Sequence, residues 1–343
     1  PGFFRPAAAQ EAHYWSEQFG NRSMLLGGAV IGSVFDLGAV FYNPGRLGLI
    51  ENPAFVLSAK AYQWDRYTIE GQERDGALKQ SKFGGAPSLV AGTFKVPWFA
   101  DSQFAYAFLT RQRAESDFFT RVETEGELFP SIPGRDLFQG KGGYNTSLRE
   151  EWIGLTWSRS VAEGVSVGLS TFVTTTSRGQ DLSADLRALG EFGDVATLFS
   201  RRAYSYQSYG ALWKAGLAVE RKDWSLGLTV TTPRISAFGS GSAEYEAILS
   251  NLPDTSETGQ PPVFETSFQS DLDTTLKSPF SIGVGFGRSL GNFTIHASSE
   301  WYGKVAPYEI LTSAPFVGQS TGDTLQYRIS GEARSVINFG VGL

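Results

Sequence analysis

The side chains able to do covalent or acid–base chemistry are few and scattered. The 343-residue chain has two histidines, His13 and His296, and no cysteine. A nucleophile–base–acid set or a histidine metal site needs partners that converge, and the spacing around neither histidine supplies them. Without cysteine there is no disulfide framework and no thiolate metal site. The acid pair Glu150-Glu151 reads as surface charge at a strand end, and GVGFG at 283–287 sits inside an alternating run rather than before a helix, so it is no phosphate loop. No catalytic residue, metal or cofactor is expected. Binding chemistry is better supplied. Arg46 follows an Asn43-Pro44-Gly45 turn, and Arg111, Arg113 and Lys214 fall on the small-residue face of alternating stretches. Such cations could hold the anionic head of an amphipathic ligand through charge-assisted bonds. Equally, they could pair with Asp36, Glu220 or Glu300 and pin neighbouring segments together.

The elements that must position these residues are strands. Tyr209, Ala211, Trp213, Ala215, Leu217 and Val219 alternate with Gly210, Leu212, Lys214, Gly216 and Ala218. Trp224, Leu226, Leu228 and Val230 alternate with Ser225, Gly227, Thr229 and Thr231; Phe280, Ile282, Val284 and Phe286 alternate with Ser281, Gly283, Gly285 and Gly287. One face is large and apolar, the other small or polar, at a period of two. Short connections (98–101, 161–164, 222–223, 290–292) alternate with long ones near 70–85, 124–146, 179–203, 240–265 and 303–324. About ten strands result, several of 15–20 residues. This rhythm is that of an antiparallel transmembrane β-barrel, apolar outside and small or polar inside. Trp64, Tyr67, Trp98, Trp152, Trp224, Trp301 and Tyr302 near strand ends suit interfacial girdles. Leu182, Leu186 and Leu189 have helical spacing, so the 179–200 connection is expected to carry a short amphipathic helix over the barrel mouth.

Composition agrees. Forty glycines and 14% aromatic residues suit strands that alternate between bulky and very small side chains. A net charge of −6 disfavours nucleic acid as a partner. Ala7-Ala8-Ala9 before Gln10 has the small-residue character of a signal-peptide end, so residues 1–9 are expected to be the remnant of an export signal. Residues 24–42 form the longest apolar stretch, interrupted only by Ser33 and Asp36 among its non-glycine residues. Its length suggests a membrane helix, yet Gly27, Gly28, Gly32 and Gly38 each cost about 1 kcal/mol in a helix.

With the barrel in view, GGAVIGSVFDLGAVFYNPGRLGLI (27–50) resembles the N-terminal hatch of the FadL-type outer-membrane transporters of long-chain fatty acids and other hydrophobic compounds. Asp36 and Asn43-Pro44 match that family's pattern, whereas Gly45 stands where the family has Ala, and Arg46 follows it. LKSPFSIGVGFGRSLGNFTIHASSEW (276–301) is similar to the family's Pro-led strand, tight turn and strand ending in Glu-Trp. The resemblance implies a 14-stranded barrel plugged by a hatch, here residues 10–50, with residues 51–343 forming a barrel short of its last strands. It also implies a non-enzymatic carrier of hydrophobic or amphipathic small molecules, seated in the lipid bilayer and lipopolysaccharide of a Gram-negative outer membrane. Gating is expected at Asp36, Asn43, Pro44, Gly45 and Arg46, with Arg111, Arg113 and Lys214 facing the ligand. The alternative is a non-transporting barrel that docks a protein as a scaffold or secretion component.

Overall fold

The computed structural model describes residues 14–343 apart from 16, 51–54, 70–77, 100, 127–135, 191, 192, 194 and 252–261. The expected signal remnant at 1–9 and His13 lie outside the described residues.

The apolar stretch is not one helix. Residues 21–49 carry α1 (Asn21–Leu25), α2 (Ala39–Tyr42) and a 3-10 helix (Pro44–Leu49). Gly27 and Gly28 break it with φ of 58° and 80°, a left-handed backbone that glycine adopts freely. Asn43 is extended, and its side chain accepts a bond from the Gly45 N–H, with Pro44 opening the 3-10 turn. Among the described residues no helix is long and apolar enough to cross a membrane, which leaves open a crossing by strands.

Sixteen strands follow among the described residues. They are β1 (Phe55–Ile69), β2 (Leu78–Phe94), β3 (Ser102–Gly126), β4 (Asp136–Ala162), β5 (Val165–Leu189) and β6 (Val195–Glu220), then β7 (Trp224–Thr231) and β8 (Ile235–Ser250). After them come β9 (Val263–Asp273), β10 (Ser281–Leu290), β11 (Phe293–Tyr302), β12 (Val305–Thr312), β13 (Phe316–Val317), β14 (Thr324–Leu325), β15 (Arg328–Ala333) and β16 (Val336–Gly342). Twelve make one antiparallel sheet in the order β1-β2-β3-β4-β5-β6-β7-β10-β11-β16, with β8 on the far half of β6 and β9 on β8. Four passes are broken midway: β7 to β8 at 232–234, β9 to β10 at 274–280, β11 to β12 to β13 at 303–304 and 313–315, and β14 to β15 to β16 at 326–327 and 334–335. Rejoined across these breaks, the passes number ten among the described residues. The edges β1 and β16 are not hydrogen-bonded to each other among the described residues.

The two faces differ as the alternation requires. Leu226, Leu228, Ile282, Val284 and Phe286 point outward and are exposed, as are Ile337 at 64% and Phe339 at 81%. The intervening Ser225, Thr229, Thr231, Ser281 and His296 are buried on the other face. A continuous band of exposed large apolar side chains is not a water-facing surface; it suits hydrocarbon. The described residues of 14–50 pack on the inner face. Phe19, Val30, Val34, Leu37, Val40 and Phe41 form one core with Leu89, Leu109, Trp152, Phe172 and Leu212 of the sheet.

Several expectations are corrected. The presumed long connections are largely strand: β3, β4, β5 and β6 run for 25, 27, 25 and 26 residues. In place of the helix expected at 179–200, residues 179–189 and 195–200 are paired extensions of β5 and β6, with register unbroken from Gly179↔Ser205 to Leu189↔Val195. Ladder bonds on both flanks satisfy this backbone, which outweighs three leucines at helical spacing. Trp152 and Tyr302 are not girdle residues, since both are buried on the inner face. Trp98, Trp224 and Trp301 are exposed, while the side chains of Trp64 and Tyr67 lie outside the described residues.

Candidate functional site

The site is built where the N-terminal segment meets the inner wall. Asn43, fully buried, donates to the Ile31 carbonyl at 2.9 Å and to the Leu217 carbonyl of β6 at 3.1 Å. Gly216 makes this possible: a Cβ there would strike the Asn43 Oδ1 and the Gly45 nitrogen. Gly285 and Gly32 meet backbone to backbone in the same manner on β10. Hydroxyls of the wall complete the attachment. Ser170 donates to the Val40 carbonyl at 2.8 Å, and Ser298 accepts from the Ile31 N–H at 3.0 Å. Ser33 Oγ lies 2.6 Å from His296 Nδ1. That pair lines no part of the cavity described next, so His296 serves attachment here.

Above α2 opens a cavity of about 920 Å³. Phe41 forms its floor, tilted against Trp152 at a centroid distance of 5.9 Å, with Phe172 behind Trp152 at 5.2 Å. The walls carry Tyr144, Tyr204, Tyr206, Tyr302, Tyr308 and Tyr327, together with Leu148, Leu212 and Ile310. This is a largely aromatic chamber with hydroxyls around it, of the size that accepts a small organic molecule. Tyr42, next to the floor, turns away: its hydroxyl accepts from the Phe19 N–H at 3.0 Å. Burial pushes the Tyr42 phenol well above its ordinary range, so it stays neutral.

The residues singled out in the sequence divide into three groups. Asp36, Asn43, Pro44, Gly45 and Arg46 belong to the N-terminal segment below the chamber. Asp36 accepts from the Gly38 N–H at 2.8 Å, and Arg46 donates through Nε to the Val34 carbonyl at 2.8 Å. Arg46 also faces Glu220 at 2.5 Å, a charge contact rather than an aligned hydrogen bond. Arg111 and Lys214 line the chamber. The Arg111 guanidinium sits 5.6 Å from the Phe41 ring centroid and 5.8 Å from that of Trp152. Lys214 lies 5.0 Å from the Phe41 centroid and pairs with Glu300 at 3.7 Å. Glu300 also accepts from Trp15, Ser281 and Tyr302 at 3.0, 2.8 and 2.6 Å.

Arg113 does not join them. The β3–β4 ladder slips between Thr110 and Gln112, so one extra residue is inserted at Arg111. Such a bulge reverses the phase of everything after it. Gln112 therefore takes the inward place expected for Arg113, which is exposed outside the chamber. The alternation also gave no sign of Arg234, which lies in the break between β7 and β8 and lines the chamber. The Thr232-Pro233 pair was the available signal, because a proline interrupts a strand ladder there.

An antiparallel wall with an apolar exterior, packed around its own N-terminal segment beneath an aromatic chamber, defines a class of fold: β-sheet walls of the outer-membrane type. Solved structures place the fold within it. The chain is similar to the CymD monoaromatic hydrocarbon channel at 12% identity and a TM-score of 0.55, covering 93% of this chain and 77% of that one. The Ralstonia pickettii toluene transporter TbuX gives 15% identity, a TM-score of 0.52 and coverage of 95% and 82%. The Pseudomonas putida toluene transporter TodX gives 13%, 0.55, and 95% and 80%. No protein-family model and no curated protein sequence matches the chain. The protein has the FadL-type outer-membrane transporter fold.

Proposed function

We propose that the protein carries hydrophobic or amphipathic small molecules, of the kind exemplified by long-chain fatty acids, across the outer membrane of a Gram-negative bacterium. The observation that carries this reading is the aromatic chamber floored by Phe41, directly over the N-terminal segment. A ligand crosses the lipopolysaccharide layer by binding there, out of water, and leaves when residues 38–46 shift locally. The sheet acts as a membrane barrel and the N-terminal segment as its hatch, with the Asn43-Pro44-Gly45 turn as the moving part. The fold's likeness to monoaromatic hydrocarbon channels supports a ligand with an apolar body. Uptake of a radiolabelled hydrophobic compound into proteoliposomes tests this. Uptake above protein-free liposomes is expected, and its absence would overturn the transport reading.

A second reading, docking of a protein partner, is favoured by the length of β3 to β6. The 27 residues of β4 reach roughly 90 Å at ~3.3 Å per residue, against a hydrocarbon core of ~30 Å. The same assay separates the two, because a pure scaffold gives no uptake.

A further inference from the structure

The chamber is charged in the opposite sense to the protein. Seven arginines and lysines line it against three glutamates, in a chain of net charge −6. Most of these cations have a visible occupation. Lys214 pairs with Glu300, Arg328 with Glu309, and Arg202 lies over the Tyr245 ring.

Arg234 is different. It is 6% exposed, yet among the described residues no carboxylate lies within ion-pair distance of it. Its Nη2 donates to the Ser208 hydroxyl at 3.1 Å, while Nε and Nη1 are buried without any acceptor. A buried guanidinium with two nitrogens lacking acceptors and no carboxylate in contact, Glu150 acting on it only from a distance, is costly to hold. The fold nonetheless makes a place for it. The backbone N–H of Arg234 is fixed by the Ser278 hydroxyl at 2.8 Å, and Gly210 supplies the space, since a Cβ there would strike Nε. Tyr206 and Tyr308 line the same wall.

We infer that Arg234 is the anion anchor of the chamber, selecting organic anions with an apolar body, of the aryl carboxylate type, over neutral hydrocarbons. The carboxylate supplies the missing acceptors and a counter-charge in contact, and the tyrosines and the Phe41 floor take the ring. This inference rests on the chamber being the ligand site proposed above. Its sense is opposite to the neutral cargo named for the toluene transporters of similar fold.

The test is calorimetric titration of the purified full chain in detergent with 4-butylbenzoate and with 4-butylbenzamide, its neutral counterpart. The readout is the ratio of the two affinities, which cancels partition into micelles shared by both probes. Wild-type protein is expected to prefer the benzoate at least tenfold, Arg234→Gln to bring the ratio to near unity, and Arg234→Lys to keep most of it. Equal binding of the two probes by wild-type protein overturns the inference whether or not the variants fold, and leaves the chamber reading standing. A preference that survives Arg234→Gln also overturns it. If neither probe binds wild-type protein, the chamber reading fails and this inference with it.

Discussion

Lys214 Nζ lies 5.0 Å from the centre of the Phe41 ring, so a cation from the β6 wall covers the residue of the N-terminal segment that floors the chamber. The same amine reaches Glu300 on β11. One contact set thus joins the segment, the chamber and two separate strands.

Breaking that pair from one side should be worse than removing it whole. Loss of a single partner leaves the other charge buried and uncompensated, at about 3–5 kcal/mol. Lys214→Met and Glu300→Gln should each lower the midpoint of denaturant unfolding in lipid vesicles. The double variant should fall short of their sum by about 0.5–3 kcal/mol. Strict additivity would mean the two groups do not interact.

Asn43→Ala removes the two donated bonds and the one accepted from Gly45. Each buried group left unpaired costs about 1–3 kcal/mol. The loss should concentrate in residues 14–50, because the sheet ladders are untouched. Hydrogen exchange is expected to speed up in that segment, while the amides of β4 to β6 stay protected.

A side chain at Gly216 would occupy the space of Asn43 and Gly45. Gly216→Val should therefore displace the segment from the wall and open a water path. Planar-bilayer recordings are expected to show ion conductance several-fold above wild type. Unchanged conductance would mean that the segment does not block the lumen at this point.

The bulge at Arg111 makes a paired prediction. Arg111→Ala should weaken ligand uptake several-fold, because it strips a cation from above Phe41 and Trp152. Arg113→Ala should leave uptake at the wild-type level, since that side chain faces away from the chamber. Equal losses in the two variants would place both residues on the ligand path.

What could be read from the sequence followed from how different the two faces of each strand are. Between Trp224 and Thr231, and between Ser281 and Gly287, one face is exposed and apolar and the other packs on the N-terminal segment, so the period of two is sharp. The Asn43-Pro44-Gly45 turn was legible because its side-chain chemistry is local. Where both faces of a paired ribbon are wet, as in β5 beyond Gly179, nothing forces alternation, and chance leucine spacing suggested a helix. Arg113 faces away from its expected side because a one-residue bulge reverses the faces without altering composition. By residue type alone Trp152 suits the membrane interface, whereas Phe41, distant in sequence, gives it an inward partner. Arg234 sits in a strand break, where alternation says nothing about direction.

The proposed function requires an apolar molecule to occupy the chamber over Phe41. A crystal structure of the protein soaked with 1-bromo-4-butylbenzene measures this directly through the anomalous signal of bromine. A bromine peak is expected inside the chamber, within van der Waals reach of Phe41, Trp152 or the surrounding tyrosines. Bromine found only on the outer apolar band, with the chamber holding ordered water alone, would contradict it.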